Sequence, residues 1–239
     1  MSDPRFAFIN GTLVLDKQVI AQAPVLLTCL QPIRALSTCT SEKGEKTLDR
    51  QSTIFPATSI FGAIESSISR DPLLVCDDLG DEWADYIGID EANNRVTLYH
   101  AKHGAPTSGA SAFQTDVSQA VKNLGRLGAV RADLETKKGH WAGRYSAPNV
   151  ATRIDRIRQG ASADAVIDAY ERVVACAAPR PRVALVTSFL SKAEVEATVE
   201  RIVKRGELQR HDHQRVWLLT SFVSECKNHG AEPIIFCAP

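Results

Sequence analysis

Asp85, His100 and Lys102 stand out in the stretch "ADYIGIDEANNRVTLYHAKHG", residues 84–104, which reads as two short strands joined by a polar turn. Strand side chains alternate, so Asp85, Ile87 and Ile89 share one face while Val96, Leu98, His100 and Lys102 share one face of the partner strand. If "EANN" is a four-residue loop, Asp90 lies opposite Arg95 and Asp85 opposite His100; a two-residue Asn93-Asn94 turn instead sets Asp85 against Lys102. Either register gathers the three side chains, and a three-residue loop without a bulge separates them. A carboxylate at a strand end can hold Mg²⁺, which takes oxygen ligands and keeps several waters. A lysine beside it can orient or deprotonate an attacking water and offset transition-state charge, with the metal as Lewis acid. That combination suits hydrolysis of a phosphodiester. The plain alternative is a cross-strand ion pair, which contributes little.

The elements that must position these groups follow from periodicity. Residues 5–30 alternate short apolar runs with polar turns and predict strands, and "TSEKGEKTLDRQS" predicts a loop. "SIFGAIESSISR" offers Ser59 as a cap with Ile60, Ile64 and Ile68 on one face of a short helix. "PLLVCDDLG" reads as a short buried strand ahead of the hairpin. Ser108 or Ser111 then opens a helix whose inner stripe is Phe113, Val117, Ala120, Val121 and Leu124. Residues 128–160 read as irregular, broken by Gly139, Gly143 and Pro148. Beyond them, "ADAVIDAYERVVACA" predicts a helix, "RVALVTSFL" a strand, "SKAEVEATVERIVKR" and "HQRVWLLTSFVSECKNHG" two helices, and "EPIIFCA" a final strand. Strands and helices alternating around an antiparallel hairpin predict a mixed α/β fold. The ends fall within strands, which suggests a domain cut from a longer chain.

At 239 residues with 44% apolar content the chain can bury a sizeable core. Its six cysteines include no CxxC pair, and no run approaches the roughly 18 apolar residues of a membrane helix. The expectation is a reduced, unexported protein of the cytoplasm. The net charge of +0 conceals a segregation. Every charge from Asp71 to Asn94 is negative, whereas Gln119 to Gly160 holds nine Lys and Arg against three acids. An acidic knot followed by a basic stretch fits a site for a cation and then a polyanion, or simply solvated faces.

On these residues the chain resembles the PD-(D/E)XK nuclease superfamily, whose core is a helix, a β-hairpin with an acid on one strand and (D/E)-x-K on the next, and then a helix that often supplies Gln or Lys. Asp85 matches the first acid and Lys102 the lysine. Gln119 and Lys122 fall on the following helix, and Glu65 or Glu82 matches the extra acid of some members. His100 stands where the family has Asp or Glu, and imidazole suits Mn²⁺ or Zn²⁺ better than Mg²⁺. The resemblance covers about residues 55–127. It implies a restriction-endonuclease-like mixed sheet flanked by helices, here followed by a basic segment, 128–160, and a C-terminal α/β extension, 161–239, within one domain spanning 1–239.

The resemblance further implies a nuclease using Mg²⁺ or Mn²⁺ on DNA or RNA. Asp85 with Glu82 or Glu65 would hold the metal, while His100, Lys102 and Gln119 would serve catalysis. Lys122, Arg126, Lys137, Lys138 and Arg144 would grip the backbone. The pattern is also similar to nuclease-like domains found with helicases in bacterial antiviral defence, which implies a helicase or other defence-system partner; a homo-oligomer is compatible. A decayed, non-catalytic nucleic-acid-binding or protein-interaction module, and a hydrolase of smaller phosphorylated substrates, are the competing expectations. Trp141 and Tyr145 amid the basic residues read as loop anchors or base-stacking platforms, and "HDH" (His211, Asp212, His213) as a cap and exposed turn. No phosphate-loop or nucleophile-elbow spacing is present.

Overall fold

From the N-terminus the chain lays down a hairpin, β1 (Phe6–Ile9) and β2 (Thr12–Leu15), a helix α1 (Lys17–Cys29) and a short strand β3 (Leu30–Pro32). Helix α2 (Ile60–Ala63) starts at Ser59, whose Oγ accepts the Gly62 N–H at 3.0 Å, and widens into a π turn over Ile64–Ile68. Three strands follow: β4 (Leu73–Cys76), β5 (Tyr86–Asp90) and β6 (Arg95–Lys102). Helices α3 (Ser111–Lys122) and α4 (Arg131–Trp141) lead to a second hairpin, β7 (Arg144–Ala147) and β8 (Val150–Asp155), and to β9 (Ile157–Gln159). The chain ends with α5 (Ala163–Ala175), β10 (Arg180–Ser191), α6 (Lys192–Val203), α7 (Arg210–Asn228) and β11 (Glu232–Ala238). The computed structural model describes residues 6–9, 12–15, 17–104, 111–204 and 210–239.

Among the described residues seven strands form one mixed sheet in the order β3-β11-β10-β6-β5-β4-β9. The β4-β5-β6 and β4-β9 pairs are antiparallel, and β6-β10-β11-β3 are parallel. Alternation divides the strand residues between two cores. Ile87, Ile89, Val96, Leu98, Val183 and Leu185 face α1, α3, α5, α6 and α7, while Tyr86, Tyr99, Ala101, Ala184 and Val186 face α2, its π turn and the β7-β8 hairpin. The architecture is therefore the expected mixed α/β sheet flanked by helices. No helix among the described residues is long and apolar enough to cross a membrane.

The central hairpin has the four-residue connection. Asp90 pairs with Arg95 and Tyr86 with Tyr99, which sets Asp85 against His100. Glu91–Asn93 form one 3-10 turn capped by Asp90, which accepts the Asn93 N–H at 3.1 Å, and Asn94 closes it in the left-handed region at φ 52°. Gly88 is required at mid-strand, because a Cβ there would lie 2.0 Å from Asp71 Oδ2. That buried carboxylate takes the Tyr99 hydroxyl at 2.7 Å and Arg95 at 3.1 Å, tying the hairpin to the segment before β4.

Two expectations change. Residues 17–29 form a helix rather than strands, with Ala23, Leu26 and Cys29 buried; a short apolar run reads equally as either, and packing against α6 and α7 decides it. Residues 128–160 are regular, holding α4 and three strands. The inner stripe of α4 is Leu134, Lys137 and Trp141, so a lysine interrupts the apolar periodicity that would have marked the helix.

Candidate functional site

Asp85 sits one residue before β5 on the ladder, its N–H bonded to Tyr99 O at 2.9 Å. Its Oδ2 accepts the Ala101 N–H at 2.7 Å, and the residue is only 9% exposed. Burial holds its carboxyl well above the usual carboxylate range, against the Ala101 N–H and with help from the charge of Asp78. Directly across, His100 is 2% exposed, and its Nε2 has no hydrogen-bond partner among the described residues. Burial, and secondarily Lys122, push this imidazole down to about 3, so it is neutral at ordinary pH.

Helix α3 adds a group that the sequence reading passes over. Asp116 lies on the buried stripe with Phe113, Val117 and Ala120, is 1% exposed, and has no partner for either carboxylate oxygen among the described residues. Burial raises its carboxyl well above the usual range; the charge of Asp85 adds to this and Lys102 opposes it. Asp116 therefore lies within electrostatic reach of Asp85, Lys102 and Glu42.

Lys102 ends β6 with its side chain 36% exposed and its Nζ 3.2 Å from Glu42 Oε2, which also accepts the His103 N–H at 3.3 Å. These groups meet a cleft of about 630 Å³ lined by Ser41, Glu42, Glu45, Lys46, Lys102 and His103 among others. His103 Nδ1 is held 2.9 Å from Ser188 Oγ on β10. A second cleft of about 410 Å³ is lined by Lys43, Glu45, Asp78, Tyr145 and Arg156, and Glu45 is common to both. Lys43 crosses to Asp78 at 2.9 Å.

Of the predicted site residues, Asp85, His100 and Lys102 gather at the C-terminal end of β6, and half-buried Gln119 lies one helical turn beyond Asp116. Glu82, also half-buried, shares the neighbours Asp78 and Lys43 with Asp85, and its carboxyl is raised by burial and then by Asp78. Glu65 does not belong to this group. It lies under the opposite sheet face, accepting Arg158 through two N–H bonds at 2.6 and 3.0 Å and the Tyr86 hydroxyl at 2.8 Å. Among the described residues no three His, Cys, Asp or Glu side chains are arranged to hold a metal ion, so the set Asp85, Glu82 and Glu65 is not assembled. The Asp116 oxygens have no hydrogen-bond partner among the described residues, and Asp85 and Lys102 act on its carboxyl electrostatically.

The basic segment is mostly engaged within the fold. Lys137 is 1% exposed, its ammonium 3.3 Å from Asp77 and 2.7 Å from Asp81 O, which removes it from any nucleic-acid surface. Lys138 pairs with Asp164 at 2.5 Å and Arg144 with Asp155 at 3.5 Å. Lys122 and Arg126 are exposed, with the Arg126 guanidinium 5.2 Å from the Trp83 ring. Trp141 and Tyr145 are buried; the Trp141 Nε1–H donates to Asp77 at 2.8 Å, so both are anchors. In "HDH", Asp212 is buried and accepts from Arg201 and Arg215, and the side chains of His211 and His213 lie outside the described residues, as does Ser108. The groups missed in sequence are Glu42, Lys43, Asp78 and Asp116. No family model, curated protein or solved structure matches the chain.

Proposed function

We propose that the chain is a divalent-metal-dependent phosphodiester hydrolase, a nuclease of the PD-(D/E)XK kind acting on DNA or RNA. The observation that supports the reading is the placement of Asp85 directly across the hairpin from His100, with Lys102 two residues further along β6 on the rim of an open cleft that Lys46 and His103 also line. The order α2, β4, β5, β6, α3 supports it, being the helix, hairpin and helix of that superfamily's core. A bound Mg²⁺ or Mn²⁺ would supply Lewis acidity at a phosphate oxygen. Asp85 would be a carboxylate ligand. Lys102, once a phosphate draws it from Glu42, would orient water and offset charge on the reacting group. Gln119 would position water or backbone from the flank of α3. Lys46, Lys122, Arg126 and Arg144, with the half-exposed Lys138, are the cations for the polymer backbone, and only the buried Lys137 leaves the set.

Six cysteines without a disulfide fit a reducing, cytoplasmic setting, and a helicase or similar partner that opens a duplex would suit this site. The test is cleavage of plasmid and of single-stranded DNA and RNA with Mg²⁺ or Mn²⁺ by the wild type, Asp85→Ala and Lys102→Ala. Loss of cleavage in both variants is expected, and equal cleavage by all three would overturn the assignment. The buried, neutral His100 at the acid position favours a second reading, a nucleic-acid-binding module without activity. Salt-sensitive binding with no cleavage in any divalent metal would select it.

A further inference from the structure

We infer that the cleft of about 410 Å³ beside the β7-β8 hairpin binds a phosphate group, anchored by Arg156 and completed by the Tyr145 hydroxyl and the Lys43 ammonium. The inference goes beyond the hydrolase reading and does not depend on it. Its anchor is a buried charge without a counter-charge. Arg156 directly follows β8, is 6% exposed, and makes no ion pair among the described residues. The comparable guanidinium groups of the fold all meet carboxylates: Arg95 those of Asp71 and Asp90, Arg158 that of Glu65, and Arg215 those of Glu194 and Asp212. A guanidinium cannot shed its proton, so burying one without an anion is costly. The Nη1 of Arg156 is occupied by the Cys76 and Asp78 carbonyls, at 3.2 and 3.0 Å. Its Nε and Nη2 have no partner among the described residues and are not sealed from solvent. They form the edge of the fork that takes an oxyanion side-on.

Two further donors line the same cleft. The Arg156 Cζ lies 5.5 Å from the Tyr145 ring centroid, which fixes the guanidinium over the ring. Tyr145 is 2% exposed, yet its hydroxyl has no hydrogen-bond partner among the described residues and is not sealed off. Burial, and then the charge of Asp78, hold this phenol above its usual range, so the oxygen keeps its proton and can donate. Lys43 lies 2.9 Å from each Asp78 oxygen, and an ammonium with three N–H groups has one left for a ligand. The Lys43 and Asp78 charges offset one another, which leaves Arg156 to set the sign of the inner wall. Glu45, exposed and without an ion pair among the described residues, is a solvated carboxylate whose repulsion water screens. A planar carboxylate is satisfied by the arginine fork alone, whereas a tetrahedral phosphate has further oxygens for the hydroxyl and the ammonium. Leu79 and Pro148 add apolar wall for the organic part of a phosphorylated ligand, and the volume is that of a small-molecule site.

The test is calorimetric titration of the full chain with inorganic phosphate, AMP and a 5′-phosphorylated dinucleotide, with acetate as control at matched ionic strength, alongside melting curves. Wild type, Tyr145→Phe, Arg156→Lys and Arg153→Gln are compared, the last removing an exposed cation of β8 that does not line the cleft. Expected is phosphate binding at millimolar concentration or below, with a melting temperature that rises with phosphate. Affinity should be about three- to tenfold weaker in Tyr145→Phe, whose phosphate-free melting temperature stays at the wild-type value because the hydroxyl holds no protein group. It should be at least about tenfold weaker in Arg156→Lys, which keeps the charge but not the fork, and unchanged in Arg153→Gln. Tighter binding of AMP than of inorganic phosphate identifies a free nucleotide as the source, and a further gain with the dinucleotide identifies a strand end. No phosphate binding by the wild type overturns the inference, as does acetate binding equally well. An equal loss in Arg153→Gln and Arg156→Lys assigns the binding to general surface charge and also overturns it. If Arg156→Lys does not fold, Tyr145→Phe decides, and wild-type phosphate affinity in that variant refutes the site. Cleavage is not read in any arm, so the hydrolase reading stands or falls separately.

Discussion

Replacing Lys137 by methionine removes the only ammonium group that the fold sets against the Asp77 carboxylate among the described residues. Asp77 is 0% exposed and would keep its N–H donors from Trp83 and Trp141, both at 2.8 Å, but lose its counter-charge. Breaking a buried pair from one side costs about 3–5 kcal/mol, and the two retained hydrogen bonds set the expectation near the lower end, about 3 kcal/mol. For a chain of this size that is roughly 6–12 °C in melting temperature. Asp77→Asn with Lys137→Met should cost less than the sum of the single changes, by a coupling of roughly 1–3 kcal/mol. Urea unfolding followed by tryptophan emission measures both, with Trp83 and Trp141 at the pair itself. A cost below about 1 kcal/mol with no coupling would show that the pair does not form, and the surface role for Lys137 would return.

Two further expectations follow from the same geometry. His100 stays neutral in the fold down to about 3, whereas an imidazole in the unfolded chain takes up its proton near 6.5, so acid favours unfolding by about 1.4 kcal/mol per pH unit across that window. Asp85 and Asp116, with raised values, bind protons in the fold first and act in the opposite direction. The contribution of the imidazole is therefore read as the difference from His100→Gln, which should grow by roughly 3 kcal/mol between pH 6.5 and 4 in urea titrations; a difference independent of pH would refute the burial argument. Glu65→Ala should lower stability by roughly 2–4 kcal/mol, since Arg158 loses two charge-assisted bonds and the buried Tyr86 hydroxyl its acceptor, yet leave Mn²⁺ uptake intact. Loss of Mn²⁺ uptake in that variant would return Glu65 to the site.

The central hairpin was legible because two local quantities determine it, the alternation of side chains and the length of the turn. Helices α5 and α6 were legible for a similar reason: apolar residues three and four apart, such as Val166, Ile167, Tyr170 and Val173, mark a face regardless of its partner. Charge clustering along the chain misled for Lys137 and the family resemblance for Glu65, because their partners Asp77 and Arg158 lie 60 and 93 residues away and only the folded sheet brings them close. Glu42 and Lys43 were hidden in the same way, in a polar stretch whose contacts are all long-range at the site. Asp116 was the exception, visible in principle. It sits at the i, i+3 position of an apolar stripe, and an acid facing the core from a predicted helix is the kind of break that calls for an explanation.

The four residues Glu91–Asn94 carry a constraint out of proportion to their exposed, polar character. They chemically touch nothing at the cleft, yet they count out which way Asp85 points. An insertion or deletion of one residue there would preserve every proposed ligand in the sequence and swing the aspartate toward the tyrosine-lined side of the sheet. Loop length at that bend is thus as much a determinant of the chemistry as the acid itself, and substitutions there should be tolerated far better than indels.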